Sequence, residues 1–256
     1  NHVVILVAQD GQIIYQQEVN LDMHSSRAIA SASKWLSAGL IMTLVDAHRL
    51  SLDDTVGKFL PIYSRYGKGQ ITIRQLFSLT AGFEGDIGAT DVGDKFEYRK
   101  DLTLEQVVDS IAVYEPLINQ PGKAFNYCST SMQIGGRIAE IVSGMSWQSL
   151  FDENIAIPCQ MTAEYRQMSP ENPLLAGGVH TSAEDYLHFL EMIANKGVYN
   201  GTRVLSEAAI DSMEKDQTQG AEIQSSPYPA NLYASIPVSP VRYGIGNWQD
   251  LLDSAG

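Results

Sequence analysis

The chain has 256 residues, 44% of them apolar and 18% charged, enough to bury the core of one large domain, which excludes intrinsically disordered and fibrous classes. Seventeen basic against 30 acidic residues leave a net charge of -13, so the summed field repels phosphate backbones and no nucleic acid is expected as a partner. No apolar run approaches the roughly 20 residues of a membrane-spanning helix, because the stretch from Trp35 to Val45 is broken by Ser37, Gly39 and Thr43.

In chain order, residues 3–19 hold two β-rich runs joined at Asp10-Gly11, a pair that tolerates positive φ and predicts a hairpin. From Ser31 the apolar period becomes helical, with Leu36, Leu40, Ile41, Leu44, Val45 and His48 on one face of a helix packed on one side. Further helices are expected after Thr72, after the capping box of Thr103 with Gln106, over 132–142 up to Gly144, over 146–155 up to Pro158, after Ser182 with Asp185, and near 206–215. Residues 216–240 are rich in Gln, Ser and Pro, and 243–248 reads as a strand. The expected class is α+β. Residues 1–30 begin the sheet domain, 31–200 form a mainly helical region bearing the chemistry, and 201–256 return to the sheet. The chain opens at Asn1 without an initiator Met, and 243–248 is the sole strand candidate after residue 200. An incomplete copy lacking its C-terminal strands is therefore expected.

The main chemical candidate is Ser31 with Lys34, three positions apart at the start of an apolar helix. That spacing puts both on one face, where a lysine amine can take a hydroxyl proton and the helix N-terminus favours developing negative charge. From these residues alone, an N-cap serine beside a snorkelling lysine stands as an equal reading. The bare spacing is weak, since Ser212 and Lys215 share it on a short polar helix whose solvated face explains both. Tyr127 follows the Pro121-Gly122 turn and precedes the 132–142 helix. Its phenol is a candidate proton relay or, equally, a half-buried packing residue, and Tyr233-Ala234-Ser235 repeats the local Y-x-S pattern.

Other chemistries find little support. His2, His24, His48, His180 and His188 form no i, i+4 pair, so no metal is expected, and no cofactor motif occurs. Ser182 of His180-Thr181-Ser182 is explained as a helix cap, and Asp53-Asp54 and Asp91 to Asp94 as solvated turns. Cys128 and Cys159 have no redox or zinc spacing. A bridge between them and two buried thiols are both open.

Taken together, residues 28–61, 71–82, 121–129, 141–144 and 177–190 form an ordered set of blocks that resembles the serine β-lactamase-related family, which includes class C β-lactamases, DD-peptidases and esterases of the same fold. The resemblance implies a β-lactamase/transpeptidase-like fold, an antiparallel sheet with flanking helices plus an all-helical region. It also implies Ser31 as nucleophile, Lys34 as adjacent base and Tyr127 as proton relay. Ser129 stands at the substrate-contact position usually held by Asn in Y-x-N, which removes an amide that orients lysine and substrate and weighs against β-lactam recognition. No S-D-N tripeptide is present, which disfavours a class A enzyme. The K-T-G or H-x-G motif is absent, its place lying after the 243–248 strand. A serine hydrolase working through an acyl-enzyme on small esters or amides, extracytoplasmic and without cofactor, is the implied function. A non-catalytic binding or regulatory protein of the same fold is the rival.

Overall fold

The computed structural model describes residues 2–87, 95–227 and 242–249; Tyr233-Ala234-Ser235 and the acidic turn at 91–94 lie outside the described residues. Nine α-helices occur among the described residues: α1 (Ser33–Asp46), α2 (Val56–Phe59), α3 (Pro61–Arg65), α4 (Ile73–Phe77), α5 (Leu104–Tyr114), α6 (Thr130–Ser143), α7 (Trp147–Phe151), α8 (Ala183–Ala194) and α9 (Glu207–Glu214). The strands are short: β1 (Val3–Gln9), β2 (Gln12–Val19), β3 (Arg27–Ala28), β4 (Ala124–Asn126), β5 (Ala163–Tyr165), β6 (Met168–Ser169), β7 (Asn172–Pro173), β8 (Val179–Thr181), β9 (Val198–Tyr199), β10 (Thr202–Arg203), β11 (Glu222–Ser225), β12 (Arg242–Tyr243) and β13 (Trp248–Gln249).

α1 runs through the centre of the helical core. The one-sided packing expected of it is corrected, because residues on every face from Ser33 to Thr43 are buried, including Ser33, Lys34 and Ser37, and a helix apolar all round belongs inside. It packs on α6, α7 and α9, with Leu36, Leu40 and Ile41 wholly excluded from water. It starts two residues later than its pattern suggests, behind a 3₁₀ turn at Ala30–Ala32, and it ends at Asp46. His48 therefore leaves the expected buried face for an exposed left-handed turn with φ of 55°.

The helix-start signals behave as their chemistry requires. Thr72 with Gln75 and Thr103 with Gln106 form reciprocal capping boxes, while Ser146, Ser182 and Ser206 each accept from the backbone N–H three residues on. Gly144 ends α6 with φ of 73°, in the left-handed region that glycine enters at no steric cost. The helix expected over 146–155 is α7 followed by a π turn at Asp152–Ala156, whose wider winding no propensity announces.

β1 and β2 pair antiparallel through a turn at Asp10 and Gly11, with a bulge between Val7 and Ala8. β1 alternates between half-buried and exposed residues, its inward side lying on α8, whereas every residue of β2 is exposed. β3, β8 and β5 form a three-stranded antiparallel sheet that carries the chain into Ser31. Two differences from the expected topology stand out among the described residues. β4 and β11 pair in parallel, and residues 243–248 do not add one strand to the front sheet. Instead β12 and β13 pair with each other, and Gly246 in their turn sits so close to α1 that a Cβ there would lie 2.6 Å from the Lys34 carbonyl oxygen.

Candidate active site

Ser31 lies in the 3₁₀ turn, delivered by β3, which is hydrogen-bonded to β8, and by Ile29 N–H donating to the Val179 carbonyl at 3.0 Å. The residue before it, Ala30, has φ of 46°, a conformation a side-chain-bearing residue adopts only when its surroundings hold it there. Ser33 takes part in that anchoring, its Oγ accepting from Val179 N–H at 3.1 Å. Ser31 remains exposed while the lysine beside it is not: Lys34 is 2% exposed.

The Lys34 ammonium donates to the Ala176 carbonyl at 3.0 Å and reaches Ser31 Oγ at 3.4 Å, and it stands 4.6 Å from the centre of the Tyr127 ring. Burial disfavours its charged form and lowers its pKa from 10.5 to about 8, against the opposing pull of Asp86, Cys128 and Glu97. A lysine of that pKa is neutral in about a tenth of molecules at pH 7, which is what proton abstraction from a serine hydroxyl requires. The snorkelling reading of Lys34 is thereby replaced, since its head is buried rather than solvated.

Tyr127 is held by both its backbone and its ring. Its N–H donates to Ser225 of β11, its carbonyl accepts from Asp86 N–H at 2.8 Å, and its ring stacks on Trp248 at 5.4 Å with 17° between planes. Phe125 and Tyr243 complete this aromatic cluster. Ser129 lies at the start of α6, and its hydroxyl donates to Asp86 Oδ2 at 2.7 Å. Lys95 closes on the other oxygen of that carboxylate at 2.8 Å.

Ser31, Lys34 and Tyr127 thus come together, with Ser129 one turn of chain beyond. Ser212 and Lys215 do not form a comparable site: Ser212 Oγ donates to the Ala208 carbonyl one turn back, and Lys215 is exposed beyond the end of α9. Ser182 caps α8 and bonds Asp185, as its capping pattern requires. Cys128 and Cys159 are both free and buried, so the bridge is excluded, and burial raises the Cys128 thiol to about 11. No group of three or more His, Cys, Asp or Glu suited to a metal occurs among the described residues. A groove of about 350 Å³ between β1 and α8, lined by Val4, Leu6, Arg27, Ile29, Tyr186 and Leu190, contains none of these four residues.

Sequence reasoning missed Asp86, Lys95 and Trp248. The carboxylate lies 43 positions before the hydroxyl it holds, a separation with no periodic signature, and Trp248 opens the two-residue strand β13, which follows the turn at Gly246 that meets α1.

A family model described as Beta-lactamase matches residues 2–251. Penicillin-binding protein 4 of Amycolatopsis lactamdurans is 30% identical over 220 residues, a match covering 72% of this chain and 55% of that protein. The chain therefore spans about half the length of this curated relative. Among solved structures, a Bacteroides dorei DSM 17855 protein described as a candidate beta-lactamase is 30% identical, with a TM-score of 0.84 and coverage of 98% of this chain and 74% of that one. EstCE1, a hydrolase with promiscuous acyltransferase activity, shares the fold at a TM-score of 0.76 and 19% identity, over 96% of this chain and 77% of its own.

Proposed function

This chain belongs to the beta-lactamase family, and from that premise we propose that it is a serine hydrolase acting through an acyl-enzyme on small esters or amides. The observation that carries the reading is the buried Lys34 amine 3.4 Å from the exposed Ser31 hydroxyl. Neutral Lys34 takes the Ser31 proton as Oγ attacks the substrate carbonyl carbon, forming a C–O bond and a tetrahedral oxyanion. Collapse of that intermediate expels the leaving group, which takes up the proton held by Lys34 with the Tyr127 phenol as relay. Water then attacks the Ser31 ester, Lys34 again accepts the proton, and the acid departs as Oγ is reprotonated. Support for Tyr127 as relay is its nearness, with the Lys34 amine 4.6 Å from its ring centre and the ring held by its stack on Trp248.

Activated esters fit this site better than β-lactams, because Ser129 offers no amide and its hydroxyl donates to Asp86. An orienting hydrogen bond lost beside a buried charge costs about 1–3 kcal/mol for a substrate that depends on it. The extracytoplasmic location implied by the family resemblance belongs to the same reading.

Intact-mass analysis of the full-length protein after treatment with a fluorophosphonate tests the assignment. One adduct is expected, mapping to Ser31 and absent from Ser31→Ala. An adduct that survives the substitution overturns the choice of nucleophile, and no adduct at all favours a binding protein that kept the fold. For specificity, kcat/KM for an acetyl aryl ester is expected to exceed that for a chromogenic cephalosporin, and equal values count against the ester preference.

A further inference from the structure

Asp86 has no place in the mechanism above, yet its contacts converge on the site. Its backbone N–H donates to the Tyr127 carbonyl at 2.8 Å, its Oδ2 accepts from Ser129 Oγ at 2.7 Å, and its Oδ1 accepts from Lys95 at 2.8 Å. One residue therefore grips both ends of Tyr127-Cys128-Ser129. Lys95 is itself fixed, donating also to the Glu84 carbonyl at 3.2 Å. The preceding Gly85 lies so close to β11 that a Cβ there would meet Ser225 Oγ at 2.2 Å, so a side chain at 85 would require the segment or Ser225 to shift.

The Ser129 hydroxyl is committed to Asp86 and not to its own helix. A serine at the start of a helix ordinarily accepts from the N–H two or three residues on. Here it makes no such bond and turns its hydroxyl to the carboxylate instead.

Resting on the hydrolase reading, we propose that Asp86 is a positioning residue for this site: anchored by Lys95, it holds the Tyr127–Ser129 turn, and with it the Tyr127 ring that faces Lys34. The groups facing Lys34 are Ser31 from the 3₁₀ turn, Tyr127 and Cys128 from the turn before α6, Asp86, and Glu97 from the segment before α5. Tyr98 faces Asp86 and Ser129 from that same segment, and Tyr243 faces Tyr127 and Cys128. Of these, Asp86 is the foremost charge opposing the effect of burial on Lys34.

The sign follows from the role of Lys34 as base. Its neutral form is the active one, so the rate rises with pH along an acid limb. Removing the Asp86 charge makes Lys34 easier to deprotonate and moves the limb to lower pH. Removing the Lys95 charge leaves Asp86 unneutralised and moves it to higher pH.

The experiment is the pH dependence of the rate constant for fluorophosphonate labelling of Ser31 in the full-length protein, with Asp86→Asn, Asp86→Glu and Lys95→Gln beside wild type. Asp86→Asn is expected to shift the limb down by about half to one pH unit, Lys95→Gln to shift it up, and Asp86→Glu to restore it. If Asp86→Asn fails to fold, as its thermal transition will show, the direction of the Lys95→Gln shift decides. A limb that stays in place in the folded variants, even with a lower plateau, overturns the proposal and leaves Asp86 a structural residue. An unlabelled wild type overturns the hydrolase reading instead.

Discussion

The two ends of the chain offer the same four-residue pattern in opposite surroundings. At Ser31 and Lys34 the serine is exposed on a turn held by β3 and β8, and the lysine lies under it at 2% exposure. At Ser212 and Lys215 the hydroxyl is occupied by its own helix and the lysine is solvated. Spacing alone produces a pair of neighbours on a helix. What sets Lys34 apart is removal of its ammonium from water, which lowers its pKa against the opposing pull of nearby negative charge.

Paired substitutions at the two places sharpen this contrast. The largest expected effect is Ser31→Ala, which should lower ester turnover by a thousandfold or more, whereas Ser212→Ala should leave it unchanged. Lys34→Met should lower the same rate by about a hundredfold or more, and Lys215→Met should leave it near wild type. A comparable loss at the second pair breaks the comparison.

Lys34→Met also carries a stability prediction of opposite sign to its effect on rate. A lysine whose folded pKa is depressed from 10.5 to about 8 destabilises the fold by up to about 3 kcal/mol. That penalty is complete below pH 8 and fades as the pH rises toward 10.5. Denaturant unfolding at pH 7 should therefore show Lys34→Met more stable than wild type by about 1–3 kcal/mol, with the gain shrinking above pH 8. Lys215→Met should show no such gain.

Smaller effects come from the residues around the site. Glu97 is fully buried, and its pKa is raised to about 7 by burial first and by Glu115 second, while Thr130 donates to it at 2.9 Å. Its folded pKa exceeds its unfolded one, so stability falls as pH rises from about 4.5 to 7 and the penalty persists above that. Glu97→Gln should be more stable at pH 8 by about 1–3 kcal/mol and nearly neutral at pH 4, a difference readable from urea midpoints. Trp248→Ala should remove the stack on Tyr127, lowering stability by about 1–3 kcal/mol and the esterase rate by roughly tenfold, each measurable on one preparation.

Much of this was legible because local chemistry specified it. Asp10-Gly11 turns the hairpin, Thr72, Thr103, Ser146, Ser182 and Ser206 start helices, and Gly144 stops one. Ser31, Lys34 and Tyr127 could be named together because the blocks that hold them occur in a family order. Three things were not legible. Alanine has no preference for the left-handed conformation of Ala30, so the 3₁₀ turn before α1 leaves no local trace. The two-residue ladders of β12 and β13 are too short for an alternating pattern, and their position depends on Gly246 meeting α1. The Asp86–Lys95 pair reads in sequence as two surface charges, and only folding brings it to Ser129.

The central claim is that burial makes Lys34 the base for Ser31, and the pH profile of kcat/KM for an activated ester with the wild-type full-length protein tests it most directly. The account predicts a rate that climbs with pH along a single limb, is half-maximal near pH 8, the value to which burial brings Lys34, and levels off about one unit above it. A rate independent of pH between 6 and 9, or one still rising toward the ordinary lysine value of about 10.4, would contradict it.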